Sequence, residues 1–180
     1  MLSKMRCGQY LVLFHLLMIL PAITIQSGHA ADNIRYIGTL VAEPCALLPA
    51  DENIVVDFGT VGDKYLYLYN RTKSQPFELH LIDCDISLGN LLKVTFSGRA
   101  NQSLPGFLAL EGAKGVAIGL ETKDSDALPL NKQIRLQELT EGDNTIVLKA
   151  YVQGEPEAIA NKTIERGTFA AIATFTLDYE

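Results

Sequence analysis

Gly167-Thr168-Phe169-Ala170-Ala171-Ile172-Ala173-Thr174-Phe175-Thr176-Leu177-Asp178-Tyr179-Glu180 closes the chain. Ala171, Ala173, Phe175, Leu177 and Tyr179 alternate with Ile172, Thr174, Thr176 and Asp178. A period of two turns one set of side chains toward a core and the other away from it. Chain ends fray unless something ties them down. A long apolar strand over 168–179 therefore needs a partner along its length, and the sequence poses the question of what supplies it.

Working outward from that end, the same alternation recurs. Ile34, Tyr36, Gly38 and Leu40 alternate with Arg35, Ile37 and Thr39, and residues 53–58 hold Ile54-Val55-Val56 before Gly59. Phe77, Leu79 and Leu81 alternate with Glu78, His80 and Ile82. Leu92, Val94 and Phe96 alternate with Lys93, Thr95 and Ser97, and Gly98 ends the run. Val116, Ile118 and Leu120 precede a loop at 123–126, while Ile146, Leu148, Ala150 and Val152 share one face. Glycines, Asn-Asp clusters and prolines separate these segments at the spacing of an all-β sandwich. No segment carries a helical period long enough for more than a turn or two. One immunoglobulin-like β domain is the expected fold.

The first residues set the compartment. Lys4 and Arg6 precede an apolar stretch over 10–25 broken by His15 and Pro21, and Gly28-His29-Ala30 offers small residues for cleavage. This pattern predicts a secretory signal over 1–30. A transmembrane helix is the alternative, disfavoured by the short, interrupted run. Without Lys4 and Arg6, 13 of the 15 basic residues face 21 acidic ones, a net charge of −8. An acidic surface argues against nucleic acid and against anionic membranes, and no lipid insertion is expected of the mature chain. Cys7 leaves with the signal, so Cys45 and Cys84 remain. An even pair in an exported chain predicts a disulfide, worth about 4 kcal/mol in the loop-entropy account, with two buried free thiols as the alternative. Such a bridge is expected to staple two strands across the sandwich.

Constellations for catalysis are thin. His15 and His29 depart with the signal, leaving His80 on a strand at the phase opposite Phe77, Leu79 and Leu81. One histidine and an oxidised cysteine pair make no tetrahedral zinc site, so neither metal nor cofactor is expected. Asp124-Ser125-Asp126 lacks the spacing of a calcium loop and reads as a turn. Asp83 and Asp85 flank Cys84 and read as surface charges. Asn70, Asn101 and Asn161 open glycosylation sequons that matter only in a glycosylating host.

Both ends of the mature chain resemble the pilin subunits that Gram-negative bacteria assemble by the chaperone–usher route. Ile34-Arg35-Tyr36-Ile37-Gly38-Thr39-Leu40-Val41-Ala42-Glu43-Pro44-Cys45 looks like that family's N-terminal extension running into its first strand and first cysteine. The extension's central glycine falls on Gly38, the penultimate tyrosine on Tyr179, and the glycine fourteenth from the end on Gly167. Leu81-Ile82-Asp83-Cys84 matches the strand of the second cysteine, and Leu104-Pro105-Gly106-Phe107-Leu108 and Tyr151-Val152 with Pro156-Glu157-Ala158 are similar to minor, adaptor-type pilins of P-type and type 1 pili.

The resemblance implies an incomplete immunoglobulin-like sandwich that lacks its last strand and is completed by a donated one. It divides the chain into the signal, a donor-strand extension over 31–41 and a pilin domain over 42–180. Ile34, Tyr36, Gly38 and Leu40 would enter a neighbour's groove. Gly167, Ala171, Ala173, Phe175, Leu177 and Tyr179 would line this chain's own groove and be read by a periplasmic chaperone. The implied partners are that chaperone, an outer-membrane usher and neighbouring pilins, and the implied location is a fimbrium on the cell surface. The role is structural, a minor pilin or tip adaptor supporting adhesion, and not enzymatic. The competing reading is a secreted β-sandwich that binds a ligand such as a glycan by itself.

Overall fold

The computed structural model describes residues 36–180. The signal over 1–30 and the donor residue Ile34 lie outside the described residues. Of the unit Met1–Leu40, residues 36–40 form no secondary structure, and Tyr36, Ile37 and Leu40 are exposed.

The second unit, Val41–Glu180, is nearly all β. Its strands are β1 (Ala46–Leu47), β2 (Gln75–Cys84), β3 (Leu91–Gly98), β4 (Leu108–Ala109), β5 (Val116–Thr122), β6 (Gln133–Glu138), β7 (Gly142–Gly154) and β8 (Ala173–Tyr179). Two short helices, α1 (Asp63–Tyr69) and α2 (Pro156–Asn161), stay within two turns. The strands form two antiparallel sheets in the orders β1-β2-β7-β5-β4 and β6-β3-β8. The alternating residues fill the space between them: Leu79, Leu81, Leu92, Val94, Ile146, Leu148 and Val152 are all buried. Burying such a side chain contributes roughly 1.5–3 kcal/mol, so two sheets with these inward faces pack on one another. The result is an immunoglobulin-like sandwich without its last strand.

Cys45 and Cys84 are bonded, closing a loop with a sequence separation of 39. Contrary to the expectation from the sequence, the bridge does not cross the sandwich. Ala46 pairs with Ile82 and Leu47 with Leu81, so the disulfide ties the entry of β1 to the end of its neighbour in the same sheet. Beside it a 3-10 turn, Pro49–Glu52, is anchored by the buried Asp51. Its carboxylate accepts hydrogen bonds from the His80 backbone N–H at 2.6 Å and from the His80 ring at Nδ1, 2.9 Å. His80 thus has a local structural task at the phase that alternation assigned it.

Two expectations about strands need correction. Residues 54–58 alternate, with Ile54, Val56 and Phe58 turned inward and Val55 outward, yet among the described residues they join no ladder. The last strand begins at Ala173, not at 168, because Glu111 and Ala170 exchange backbone hydrogen bonds of 2.9 and 3.1 Å and hold the preceding segment elsewhere. Gly112 makes that pairing possible. It has φ +95°, and a Cβ there would sit 1.9 Å from the Thr168 carbonyl oxygen.

Candidate functional site

β8 pairs with β3 from Leu92↔Tyr179 to Gly98↔Ala173. Its other edge has no ladder partner among the described residues. The opposite wall is the extended segment 54–61, which makes no backbone-to-backbone hydrogen bond among the described residues before the turn that opens α1. Phe58 and Phe169, with ring centroids 6.2 Å apart, join the walls at one end. Glu43 lies near enough to Tyr179 to act on its phenol at the other, where burial first and this carboxylate second push the Tyr179 pKa up. Between those ends neither the second edge of β8 nor segment 54–61 has a ladder partner among the described residues.

The floor of this groove is apolar. Phe175, Leu177 and Tyr179 point inward but stay only partly buried, as do Ile54, Val56, Phe58 and Val61 opposite them. The Phe175 ring lies tilted against Phe96 at 6.3 Å, and the Phe96 ring meets Phe77 edge-on at 6.5 Å. Covering the open half of each such side chain would contribute on the order of 1 kcal/mol. Near Phe169 the groove deepens into a pocket of about 290 Å³ lined by Val61, Leu66, Val116, Val152, Ile164 and Phe169 among others. Asp63 and Arg166 stand at its rim, joined by hydrogen bonds of 2.6 and 3.0 Å. This ion pair holds the Asp63 carboxyl below the usual carboxylate range, through the hydrogen bond from Arg166 first.

The C-terminus does not fray. The Glu180 N–H donates to Leu91 O at 3.0 Å, and its carbonyl accepts from Asn90 and Leu91 at 2.9 and 2.8 Å. Lys93 pairs with the Glu180 side chain.

The sequence-expected residues divide accordingly. Phe175, Leu177 and Tyr179 line the groove together on β8. Ala171 packs on the core just ahead of the strand, Ala173 is exposed at its start, and Gly167 is an exposed member of the pocket rim. Tyr36 and Leu40 are exposed, and among the described residues no atom beyond its immediate neighbours lies within 4 Å of a Cβ built on Gly38. The opposite wall was missed as a wall. Its signal was the alternation of Ile54, Val56 and Phe58 in a segment read as an ordinary strand. Among the described residues no group of three or more His, Cys, Asp or Glu is placed to hold a metal ion, and no helix is long and apolar enough to cross a membrane.

The comparisons with known proteins agree with this architecture. A family model described as "Fimbrial protein" matches residues 34–180. The chain is 28% identical to the putative minor fimbrial subunit PmfF of Proteus mirabilis over 170 residues, covering 92% of this chain and 93% of that one. It is 29% identical over 164 residues to the fimbrial adapter PapK of Escherichia coli, covering 86% and 92%. The crystal structure of the P pilus rod subunit PapA superposes with a TM-score of 0.66 at 21% identity, covering 77% of this chain and all of that one. A sandwich one strand short, with its sequence matched to that family over all of the Val41–Glu180 unit, belongs to the fimbrial protein family: the chain is an exported structural subunit of a Gram-negative bacterium's surface fimbriae.

Proposed function

We propose that the groove beside β8 receives a donated β-strand, first from a periplasmic chaperone and then from the N-terminal extension of the neighbouring subunit delivered at an outer-membrane usher. The observation that carries this is the edge of β8 that has no ladder partner among the described residues, beside a half-covered apolar floor. Strand addition satisfies both deficits at once. Its main-chain bonds give affinity and its alternate side chains fill the pockets. An open edge of this kind is otherwise a site of aggregation.

Residues 31–41 are this subunit's own donor, with Ile34, Tyr36, Gly38 and Leu40 as the side entering a neighbour. Gly38 removes a side chain where the donated backbone lies close to the groove floor. The likenesses to PmfF and PapK support a minor pilin or tip adaptor, a structural and not catalytic part of an adhesive fibre.

The test is expression of residues 31–180 in a periplasm without a chaperone. Aggregated or degraded protein is expected, and a donor-type strand fused after Glu180 should restore a soluble monomer. A wild-type domain already monomeric and cooperatively folded would overturn the reading.

A further inference from the structure

His80 is the one histidine in residues 31–180, and its ring stands between two carboxylates. Asp51 Oδ2 lies 2.9 Å from Nδ1, and Glu78 Oε2 lies 3.4 Å from Nε2. Asp51 comes from the turn Pro49–Glu52, and Glu78 from the same face of β2, two residues back along the strand. The neighbouring strands add no positive charge beside the ring. β7 sets Thr145 opposite His80, with Asp143 and Val147 two residues to either side on that face. The next cation along that face, Lys149, lies beside Pro76 and pairs with Glu121. From the β1 side come Leu47 and Leu48, and Glu52 at the end of the turn is exposed. Neither Asp51 nor Glu78 pairs with a Lys or Arg among the described residues.

This cluster sits where the chain turns into the groove wall. Residues 53–61 make no backbone-to-backbone hydrogen bond among the described residues. Their hold on the body is the packing of Ile54, Val56, Phe58 and Val61. Immediately before them, His80 grips the turn three ways. Its carbonyl accepts from the Leu48 N–H at 2.9 Å, its N–H donates to Asp51 Oδ2 at 2.6 Å, and its ring meets the same oxygen. The hydrogen bond from the His80 N–H first, then the ring, hold the Asp51 carboxyl below the usual carboxylate range against its burial. Asp51 therefore stays charged over the range in which histidine titrates. Either neutral tautomer of the ring leaves one carboxylate facing a bare nitrogen, whereas an imidazolium donates from both nitrogens.

We infer that Asp51, His80 and Glu78 form a proton-operated clamp at the start of the groove wall. With the imidazole protonated the turn is held fast, and a strand lying in the groove stays longer. With the ring neutral the clamp slackens, and the strand leaves sooner. The inference rests on the strand-donation reading and adds to it a control exerted by the acceptor. Two physical steps connect the proton to the strand. Charge-assisted hydrogen bonds are stronger than neutral ones, so the clamped arrangement binds the proton more tightly and gains population as pH falls. A wall already fixed loses less freedom when a strand settles against it, and preorganisation of that kind prolongs binding.

The experiment loads residues 31–180, released from chaperone, with a labelled synthetic peptide of residues 31–41. Its dissociation into excess unlabelled peptide is followed in urea just below the unfolding transition, where exchange is measurable. Rates are compared at about pH 5.5 and about pH 8, either side of the range in which histidine changes charge. Dissociation should be several-fold slower at the lower pH in the wild type. The ratio of the two rates should fall to about one in His80→Gln, which keeps a polar side chain but takes up no proton. Glu78→Gln, at an exposed position, should lower the ratio and decides the matter if His80→Gln does not fold. A wild-type ratio of one, or a ratio that survives unchanged in either variant, overturns the clamp and leaves strand donation standing. Failure of the peptide to load at either pH counts against strand donation instead. The clamp is then judged by amide hydrogen exchange over 53–61 in the chaperone-bound subunit, corrected for its intrinsic pH dependence. Protection that is greater at about pH 5.5 in the wild type and not in the variants supports it. Protection with the same pH dependence in all of them overturns it.

Discussion

β7 and β8 carry the same pattern and meet different fates. Ile146, Leu148, Ala150 and Val152 alternate along β7 as Ala173, Phe175, Leu177 and Tyr179 do along β8. The first four are 0–3% exposed, because β2 and β5 flank β7 on both edges and the facing sheet covers its inner side. In β8, Phe175, Leu177 and Tyr179 remain half-covered and Ala173 is open, because among the described residues only β3 flanks it. Periodicity reports which side of a strand faces a core. It does not report whether the chain itself contains the neighbour that closes that core.

The contrast breaks most decisively with a charge. Phe175→Glu places an unpaired carboxylate where a donated strand must cover it, so chaperone co-purification and fibre incorporation should be lost together. If this variant still assembles, β8 is not the groove wall. Truncation sharpens the comparison next. Leu148→Ala should cost about 2–5 kcal/mol by denaturant titration whether the groove is empty or filled by a fused strand. Phe175→Ala should cost about 1 kcal/mol in the empty subunit and roughly 3–5 kcal/mol in the filled one, since its burial depends on the occupant. Equal costs for Phe175→Ala in both states would mean that the strand settles elsewhere.

A smaller effect is expected at the donor end. Gly38→Asn meets nothing within 4 Å among the described residues, so stability and chaperone binding should stay at wild-type levels while incorporation into sheared fibres falls. The smallest effect belongs to the closed sheet alone. Glu121 on β5 is buried, which pushes its carboxyl up, but hydrogen bonds from Ser74 and Arg71 and from nearby Lys149 outweigh this and hold its pKa below the ordinary value. A depressed folded value stabilises the protein above the unfolded carboxylate value near 4.3 and loses that contribution as pH falls through the folded value. The thermal midpoint should therefore drop below about pH 4, less steeply in Glu121→Gln, and by the same amount with the groove empty or filled.

Much of the sandwich was legible because alternation marks two-sided strands. β2, β3, β5 and β7 lie where Phe77, Leu92, Val116 and Ile146 begin their runs. Other parts were not. β6 holds Ile134 and Leu136 among Gln133, Arg135 and Gln137, a polar edge strand whose signal is weak by itself. Tyr65-Leu66-Tyr67-Leu68-Tyr69 looks like neither element. It folds as a helix because Leu66 reaches the core and the Tyr67 hydroxyl accepts from the Ile164 N–H at 3.1 Å. Residues 54–58 read as a strand in good order, but they have no ladder partner among the described residues. In the site, Phe175, Leu177 and Tyr179 could be named from the sequence. The facing wall could not, since nothing local distinguishes a strand awaiting a partner from one that has it.

The pinning of Glu180 between Asn90 and Leu91 has a consequence for anyone who fuses a strand to this subunit. The fusion point is fixed at one end of β8, so linker length selects the direction of the added segment. A loop of roughly two to five residues can only reverse the chain and lay the new strand antiparallel to β8. A parallel arrangement requires the linker first to travel back along all 7 residues of β8, about 23 Å. Short and long linkers therefore produce two different molecules from one donor sequence, with the added strand antiparallel to β8 in one and parallel to it in the other.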